Sequence, residues 1–269
     1  MMNFSKYHGC GNDFIVIDYS EGINYSDLAI KVCNRKISVG ADGLVIVKKD
    51  PLEMIFYNSD GSRAPMCGNG IRCFARYVYE HNYVASNIFD VLTLAGVMKI
   101  EIVDTTNFLV KVNMGYPIFS NEAIKASDNE SYMGRDILID GMKIKIYSLF
   151  MGTIHTVVFV DSIDEILKTD IGEKICNHSL FKEKTNVNFV EVMDDKNFKV
   201  KTYERGVGWT CACGTGVCAS YVIGNKLGLC NDFIDGHIEY GILHIESKEG
   251  YIYMTGPATK VFESELEEI

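Results

Sequence analysis

Positive charge is the first shortage of this 269-residue chain, in which 26 Lys and Arg stand against 36 Asp and Glu for a formal net charge of −10. The broad basic field on which nucleic-acid and anionic-lipid binding rely is therefore missing. No run of about 18 apolar residues occurs, which argues against a membrane-spanning helix. The opening Met1-Met2-Asn3-Phe4-Ser5-Lys6 enters a strand pattern directly, without signal-peptide organisation. Prolines number four and no segment is of low complexity, so a flexible multi-module chain is not expected. No Gly-x-Gly-x-x-Gly follows a strand with a matching acidic residue, and no P-loop signature is present. Nothing suggests a nicotinamide, pyridoxal phosphate or nucleotide site. The expectation is a cytoplasmic protein with a small-molecule partner, no nucleic acid, no membrane and no cofactor.

Cysteine, by contrast, is plentiful: nine residues, at 10, 33, 67, 73, 176, 211, 213, 218 and 230. An odd count with several members in apolar contexts suits a reducing compartment better than a disulfide framework. Hydrophobic residues make up 47% of the chain, enough for one large core or two of ordinary domain size. A duplication favours two. Cys67-Gly68-Asn69-Gly70-Ile71 returns as Cys213-Gly214-Thr215-Gly216-Val217, and the lead-in Phe56-Tyr57-Asn58 returns as Thr202-Tyr203-Glu204. The offsets agree, since 67 − 58 and 213 − 204 both equal 9.

Hydrophobic periodicity places strands at 14–18, 44–48 and 54–57 and a helix at 26–34 that Ser26 could cap. A polar turn at 58–62 follows, then a helix from the first motif to about residue 80. Strands at 87–94, 97–103 and 108–114 complete the first half. The second half repeats the order: a strand at 156–160, a helix at 163–176, strands at 188–192 and 199–203, the second motif with a helix at 214–227, and strands at 237–245 and 251–255. The crossing between halves falls at 115–136, where Tyr116-Pro117 and a polar stretch stand. The acidic end, 263–268, reads as a solvated terminus.

A Gly-rich turn at a helix start leaves backbone N–H groups without intrahelical acceptors, and the helix dipole adds positive potential there. Each motif is thus a potential carboxylate cradle. The same location lowers a thiol's pKa from about 8.5 towards the range where thiolate is populated at neutral pH. If the halves face each other, one thiol lies on each side of a small molecule. A thiolate would remove an α-proton while the opposite thiol delivers one, inverting the carbon. A single such Cys is more often a packing residue, but a matched pair favours chemistry. The spacings of Cys211, Cys213 and Cys218, or of Cys67 and Cys73, are not those of paired zinc knuckles, so no metal is expected. Cys73, Cys211 and Cys218 fall outside the duplicated position and read as core or supporting residues. Asn12, Asn58, Asn186 and the Glu204-Arg205 pair could hold the charged ends of a zwitterion, although a lone turn Asn usually caps backbone. His155 either orients Glu204 or satisfies a core contact.

Five ordered segments carry a resemblance: 4–14 (Phe4 to Phe14), 58–62, Met66-Cys67-Gly68-Asn69-Gly70-Ile71-Arg72-Cys73, Asn186-Val187-Asn188-Phe189, and 203–208 running into Ala212-Cys213-Gly214-Thr215-Gly216. Over nearly its whole length the chain resembles the diaminopimelate epimerases, cofactor-independent amino-acid epimerases of lysine and peptidoglycan biosynthesis. The resemblance implies an α/β (α+β) fold of two pseudo-symmetric domains, each a mixed curled sheet around a central helix, with the active site in the interdomain cleft. The domains would be 1–115, joined by a returning strand 258–269, and 116–257. It implies Cys67 and Cys213 as the catalytic acid/base residues and the backbone of Gly68, Asn69, Gly214 and Thr215 as the carboxylate cradle. Asn12, Asn58, Asn186 and Arg205 would hold the substrate, chiefly its distal end, and Glu204 would lie near the reacting centre. A homodimer is compatible with it.

Three departures stand out. Thr153-Ile154-His155 replaces a Pro-containing turn, which weakens one distal contact and removes proline's rigidity. Trp209 stands where a smaller or polar side chain is familiar, either narrowing the pocket or packing on the neighbouring turn. Gly43 replaces a polar residue of some members. The alternatives are racemisation of another amino acid, such as histidine or a lanthionine-type substrate, and a thiol redox protein using the same two cysteines.

Overall fold

The structure, a computed structural model, describes residues 2–267; Met1, Glu268 of the acidic end, and Ile269 of the expected returning strand lie outside it. In chain order its elements are β1 (Met2–Gly9), β2 (Asn12–Asp18), α1 (Tyr25–Val32), β3 (Gly43–Lys49), β4 (Leu52–Asn58), β5 (Arg63–Ala64), α2 (Gly68–Glu80), β6 (Ile88–Thr93), β7 (Gly96–Asp104) and β8 (Leu109–Gly115). There follow β9 (Met133–Ile139), β10 (Met142–Phe150), β11 (Ile154–Phe159), α3 (Ile163–Ile166), α4 (Ile171–Cys176), β12 (Asn186–Val192), β13 (Asn197–Glu204), β14 (Gly208–Thr210), α5 (Gly214–Lys226), β15 (Phe233–Ile238), β16 (Gly241–Lys248), β17 (Tyr251–Pro257) and β18 (Thr259–Leu266). This is a mixed α+β architecture, and the chain divides into two compact units. One comprises the described residues up to Asn113 with those from Thr255 onward; the other is Met114–Met254.

In the first unit β1 runs antiparallel to β18 and β2, and β2 runs parallel to β3. β3 is antiparallel to β4, which is antiparallel to β5 and parallel to β6, and β6 is antiparallel to β7. The two-residue turn between β1 and β2 needs positive φ at both positions, supplied by Cys10 (54°) and Gly11 (87°). Leu44, Val45, Ile46 and Val47 form a continuous buried run, as expected for a strand covered on both faces. Ile15, Ile17, Leu44 and Ile46 pack under Leu28, Ala29 and Val32 of α1. Alternation turns Phe14 to the other face, where it lies under Gly70 of α2. Each such fully buried large apolar side chain contributes about 1.5–3 kcal/mol.

The second unit repeats the pairings. β10 is antiparallel to β9 and β11, β11 is parallel to β12, and β12 is antiparallel to β13. β13 is antiparallel to β14 and parallel to β15, and β15 is antiparallel to β16. β18 thus stands to β1 as β9 stands to β10. Ile146, Ile154, Val158, Val187 and Phe189 pack under Ile163, Ile175 and Cys176 of α3 and α4. No helix among the described residues is long and apolar enough to cross a membrane.

Several local expectations need correction. The helix expected at 163–176 is two short ones, because the Thr169 hydroxyl donates to the Ile166 carbonyl and accepts from the Ile171 N–H, diverting the backbone at 167–170. The strand expected at 237–245 is a hairpin of β15 and β16 turning at 239–240. The crossing segment leads into a further hairpin, β9 and β10, whose Asp140-Gly141 turn has both residues at positive φ (52° and 80°). The α1 cap is Asn24, whose side chain accepts from the Asp27 N–H, while Ser26 donates to the Gly61 carbonyl. The acidic end is solvent-facing up to Glu265, yet its residues to Leu266 form β18, with Glu263 held by Lys260 and Ser5.

Candidate active site

In the first unit, β4 ends at Asn58 and α2 begins at Gly68, with β5 folding back on β4 between them. Cys67 occupies the N-cap of this 13-residue helix with extended backbone (φ −130°, ψ 121°). Its sulfur accepts from the Gly70 N–H at 3.4 Å, so the thiol takes the part usually played by a Ser or Asp side chain. The Cys67 thiol in turn donates to Asn12 Oδ1 at 3.8 Å, and Asn69 Nδ2 donates to the same oxygen at 3.1 Å. Asn12 Nδ2 donates to Asp42 at 2.6 Å. Asn58 donates to Ser62 across its own turn. The thiol is half-buried, whereas Cys73 behind it is fully buried and burial pushes its thiol well up. Arg72, fully buried, donates to the Gly68 and Pro257 carbonyls and so ties the helix start to the end of β17.

The second unit places Cys213 at the N-cap of α5, also 13 residues long, with the same extended backbone (φ −119°, ψ 97°). Its sulfur lies 3.5 Å from the Thr215 hydroxyl. β13 ends at Glu204, and β14 returns along it, so Thr210 donates to the Glu204 carboxylate at 2.7 Å. The Arg205 N–H donates to Asn186 Oδ1, and its guanidinium is held by the Glu183 carbonyl and the Thr153 hydroxyl, each at 3.0 Å. His155 is buried on β11, where its Nδ1 meets Asn188 Nδ2 at 3.1 Å. Burial pushes its pKa down to about 3, so the ring is neutral; with Nδ1 accepting from the Asn188 amide, the proton sits on Nε2. Nε2 meets no hydrogen-bond partner among the described residues. Trp209 is half-buried against Phe189, Tyr203 and Gly172, which makes it a packing residue of its own unit.

Helix geometry gives the backbone N–H groups of Gly68, Asn69, Gly214 and Thr215 no intrahelical acceptor, and the dipole favours an anion before them. Of the residues expected from sequence, Cys67, Asn12 and Asn69 meet in one unit, and Asn186, Arg205 and Thr153 meet in the other. Thr153 does more than replace a lost contact, since it orients Arg205. Gly43 also gains a reason: a Cβ there would lie 2.5 Å from the Phe56 ring and 2.8 Å from the Tyr57 carbonyl. Asp42 and Arg35 escaped the sequence reading. Asp42 stands directly before the buried apolar run of β3, and a carboxylate at that strand entrance was the available signal.

The family model described as "Diaminopimelate epimerase" matches residues 4–120 and 147–261. A diaminopimelate epimerase of Caldanaerobacter subterraneus subsp. tengcongensis is 44% identical over 99% of this chain and 100% of its own length. That of Archaeoglobus fulgidus is 43% identical over 98% and 95%. Among solved structures, a PhzF-family phenazine biosynthesis protein of Bacillus anthracis superposes with a TM-score of 0.73 at 15% identity, covering 98% of both chains. A probable proline racemase of Agrobacterium radiobacter K84 does so with 0.71 at 12% identity, covering 99% of this chain and 93% of its own. At these identities the structural likeness concerns the fold. The two matched segments and the near-complete alignments above 40% identity decide membership: the chain belongs to the diaminopimelate epimerase family.

Proposed function

We propose that the chain epimerises diaminopimelate at its α-carbon without a cofactor, with Cys67 and Cys213 as the acid/base pair. The observation that carries this reading is the presence of two thiols, each N-capping a 13-residue helix behind a Gly-rich start. The thiolate of one cysteine takes the α-proton and the thiol of the other delivers a proton to the opposite face, so each turnover exchanges the two protonation states. The helix-start amides of Gly68, Asn69, Gly214 and Thr215 hold the reacting carboxylate and stabilise the charge that develops on it. Glu204 serves the reacting centre, and Asn12, Asn58, Asn186 and Arg205 hold the remaining polar ends. With one proton shared between the two thiols, any measured pKa values would belong to the pair. An odd count of nine cysteines, most of them buried, supports a reducing, cytoplasmic setting.

The test follows α-proton exchange into deuterated buffer, under reductant, for LL-diaminopimelate, lanthionine and a panel containing L-histidine. Exchange with LL-diaminopimelate is expected. Exchange confined to the other substrates would overturn the assignment of substrate, and full activity in a Cys67→Ser, Cys213→Ser double variant would overturn the two-thiol mechanism.

A further inference from the structure

Asn12 stands between the Cys67 thiol and a carboxylate. Its Oδ1 accepts from Asn69 Nδ2 (3.1 Å) and from the Cys67 thiol (3.8 Å), while its Nδ2 donates to Asp42 Oδ2 (2.6 Å). A reversed amide would set its carbonyl against the carboxylate and its NH₂ against the NH₂ of Asn69, so only one orientation is satisfied. Asp42 is itself clasped. The Asp13 N–H donates to Asp42 Oδ2 at 3.1 Å, the Asp42 N–H donates to the Asp13 carbonyl at 2.9 Å, and Arg35 bridges both carboxylates. Lys6 pairs with Asp13 at 2.6 Å. In the second unit the Cys213 sulfur lies 3.5 Å from the Thr215 hydroxyl.

We infer that Asp42 is a positioning residue for the proposed reaction: it fixes the Asn12 amide so that a carbonyl oxygen, not an NH₂, faces the Cys67 thiol. The inference rests on the two-thiol reading for its effect on turnover, but not for its effect on the thiol. A carbonyl facing Cys67 favours the protonated thiol, whereas an amide free to turn presents N–H donors that favour thiolate. The other titratable or charged groups around this corner are Lys6, His8, Cys10, Asp13, Cys33, Arg35, Arg72 and Cys73. The variants below leave all of them in place.

The experiment measures iodoacetamide alkylation of Cys67 and Cys213 by peptide mass spectrometry at pH 7, with Cys213 as the internal reference, alongside α-proton exchange. In Asp42→Ala the Cys67 to Cys213 rate ratio is expected to rise about threefold or more, the equivalent of half a pKa unit. Exchange measured as kcat/KM should fall about tenfold, the worth of one well-made hydrogen bond. Asp42→Asn keeps an acceptor for Asn12 while removing the charge, and it should restore both values to within about twofold. If Asp42→Ala does not fold, Asp42→Ser carries the same expectation. An unchanged alkylation ratio in the Ala or Ser variant overturns the inference. So does an Asp42→Asn variant that behaves like Asp42→Ala, because the carboxylate would then act through charge alone. A changed ratio rescued by Asn in a protein that exchanges no α-proton upholds the positioning and refutes the proposed function instead.

Discussion

The two units hold their motif helices over matching strands, but the layer beneath each helix differs. Strand register sets the correspondence: Phe14 pairs with Gly43 as His155 pairs with Asn186, and Val45 pairs with Phe56 as Asn188 pairs with Thr202. Beneath α2 the layer is apolar, with Phe14, Val45 and Phe56 all buried. Beneath α5 the same positions are His155, Asn188 and Thr202, equally buried and hydrogen-bonded to one another. Identical topology therefore tolerates opposite chemistry, provided the polar set satisfies itself internally. The cost appears at His155, whose orphaned Nε2 has given up its water for nothing within the described chain. The thiols differ too. Cys67 is half-buried and tied to Asn12, while Cys213 is buried and tied to Thr215.

The largest test of this comparison removes each thiol in turn. Cys67→Ser and Cys213→Ser should each lower the epimerisation rate about 10²–10⁴-fold, the usual worth of a positioned acid or base, as read by conversion of LL-diaminopimelate. A variant retaining more than a tenth of the activity would show that its half of the pair is dispensable.

Acid exposes the polar layer. His155 has a folded pKa of about 3, below the ordinary unfolded value near 6.5, so its contribution to stability is complete above 6.5 and drains away as pH falls towards 3. At pH 4.5 the loss from this one group should be roughly 2–3 kcal/mol. Urea unfolding at pH 7 and pH 4.5 should show that extra loss in wild type and not in His155→Gln. A variant at Phe14, which keeps His155, should show the same extra loss as wild type.

Space above the two layers differs as well. A Cβ on Gly216 would lie 2.2 Å from Asn188 Oδ1 and 2.9 Å from Thr202 Oγ1, whereas one on Gly70 would meet the Cys67 Cβ at 3.3 Å and the Phe14 ring at 3.6 Å. Gly216→Ala should therefore cost about 1–3 kcal/mol of stability, because the hydrogen-bonded Asn188 cannot retreat. Gly70→Ala should change it by less than about 1 kcal/mol, the helix-propensity gain offsetting a mild contact. Denaturant midpoints at neutral pH compare them.

The smallest expected effect concerns Arg205 of the second unit. Thr153→Val removes the side-chain anchor of the exposed Arg205 guanidinium and leaves the Glu183 backbone carbonyl, and should raise KM about two- to threefold with kcat unchanged. Thr153→Ser should leave both constants near wild type.

Much of this architecture is legible along the chain. The helix starts at Cys67 and Cys213 follow from Gly-rich turns before apolar runs, and both helices run within a residue of their expected ends. The equal offset of nine residues reflects a real equivalence, a strand, a short returning strand and a helix in each unit. Less legible were features in which side chains compete with backbone. Thr169 splits a helix that periodicity alone continues, and Asn24 outcompetes Ser26 for the cap. The Asp140-Gly141 turn carried a plain hairpin signal that the polar crossing segment obscured.

By itself, then, the sequence determined where each thiol sits on its helix, because capping and helix periodicity act within a few residues. It also determined the family, through motifs that are contiguous in the chain. Only the tertiary structure decided what each thiol and each polar group touches. Asn12 meets Asp42 from 30 residues away and Arg205 meets Thr153 from 52, and these contacts exist only once strand register has been chosen. Register likewise brings His155, Asn188 and Thr202 together, since pairing across strands is set by the packing of the whole sheet and not by neighbours in sequence.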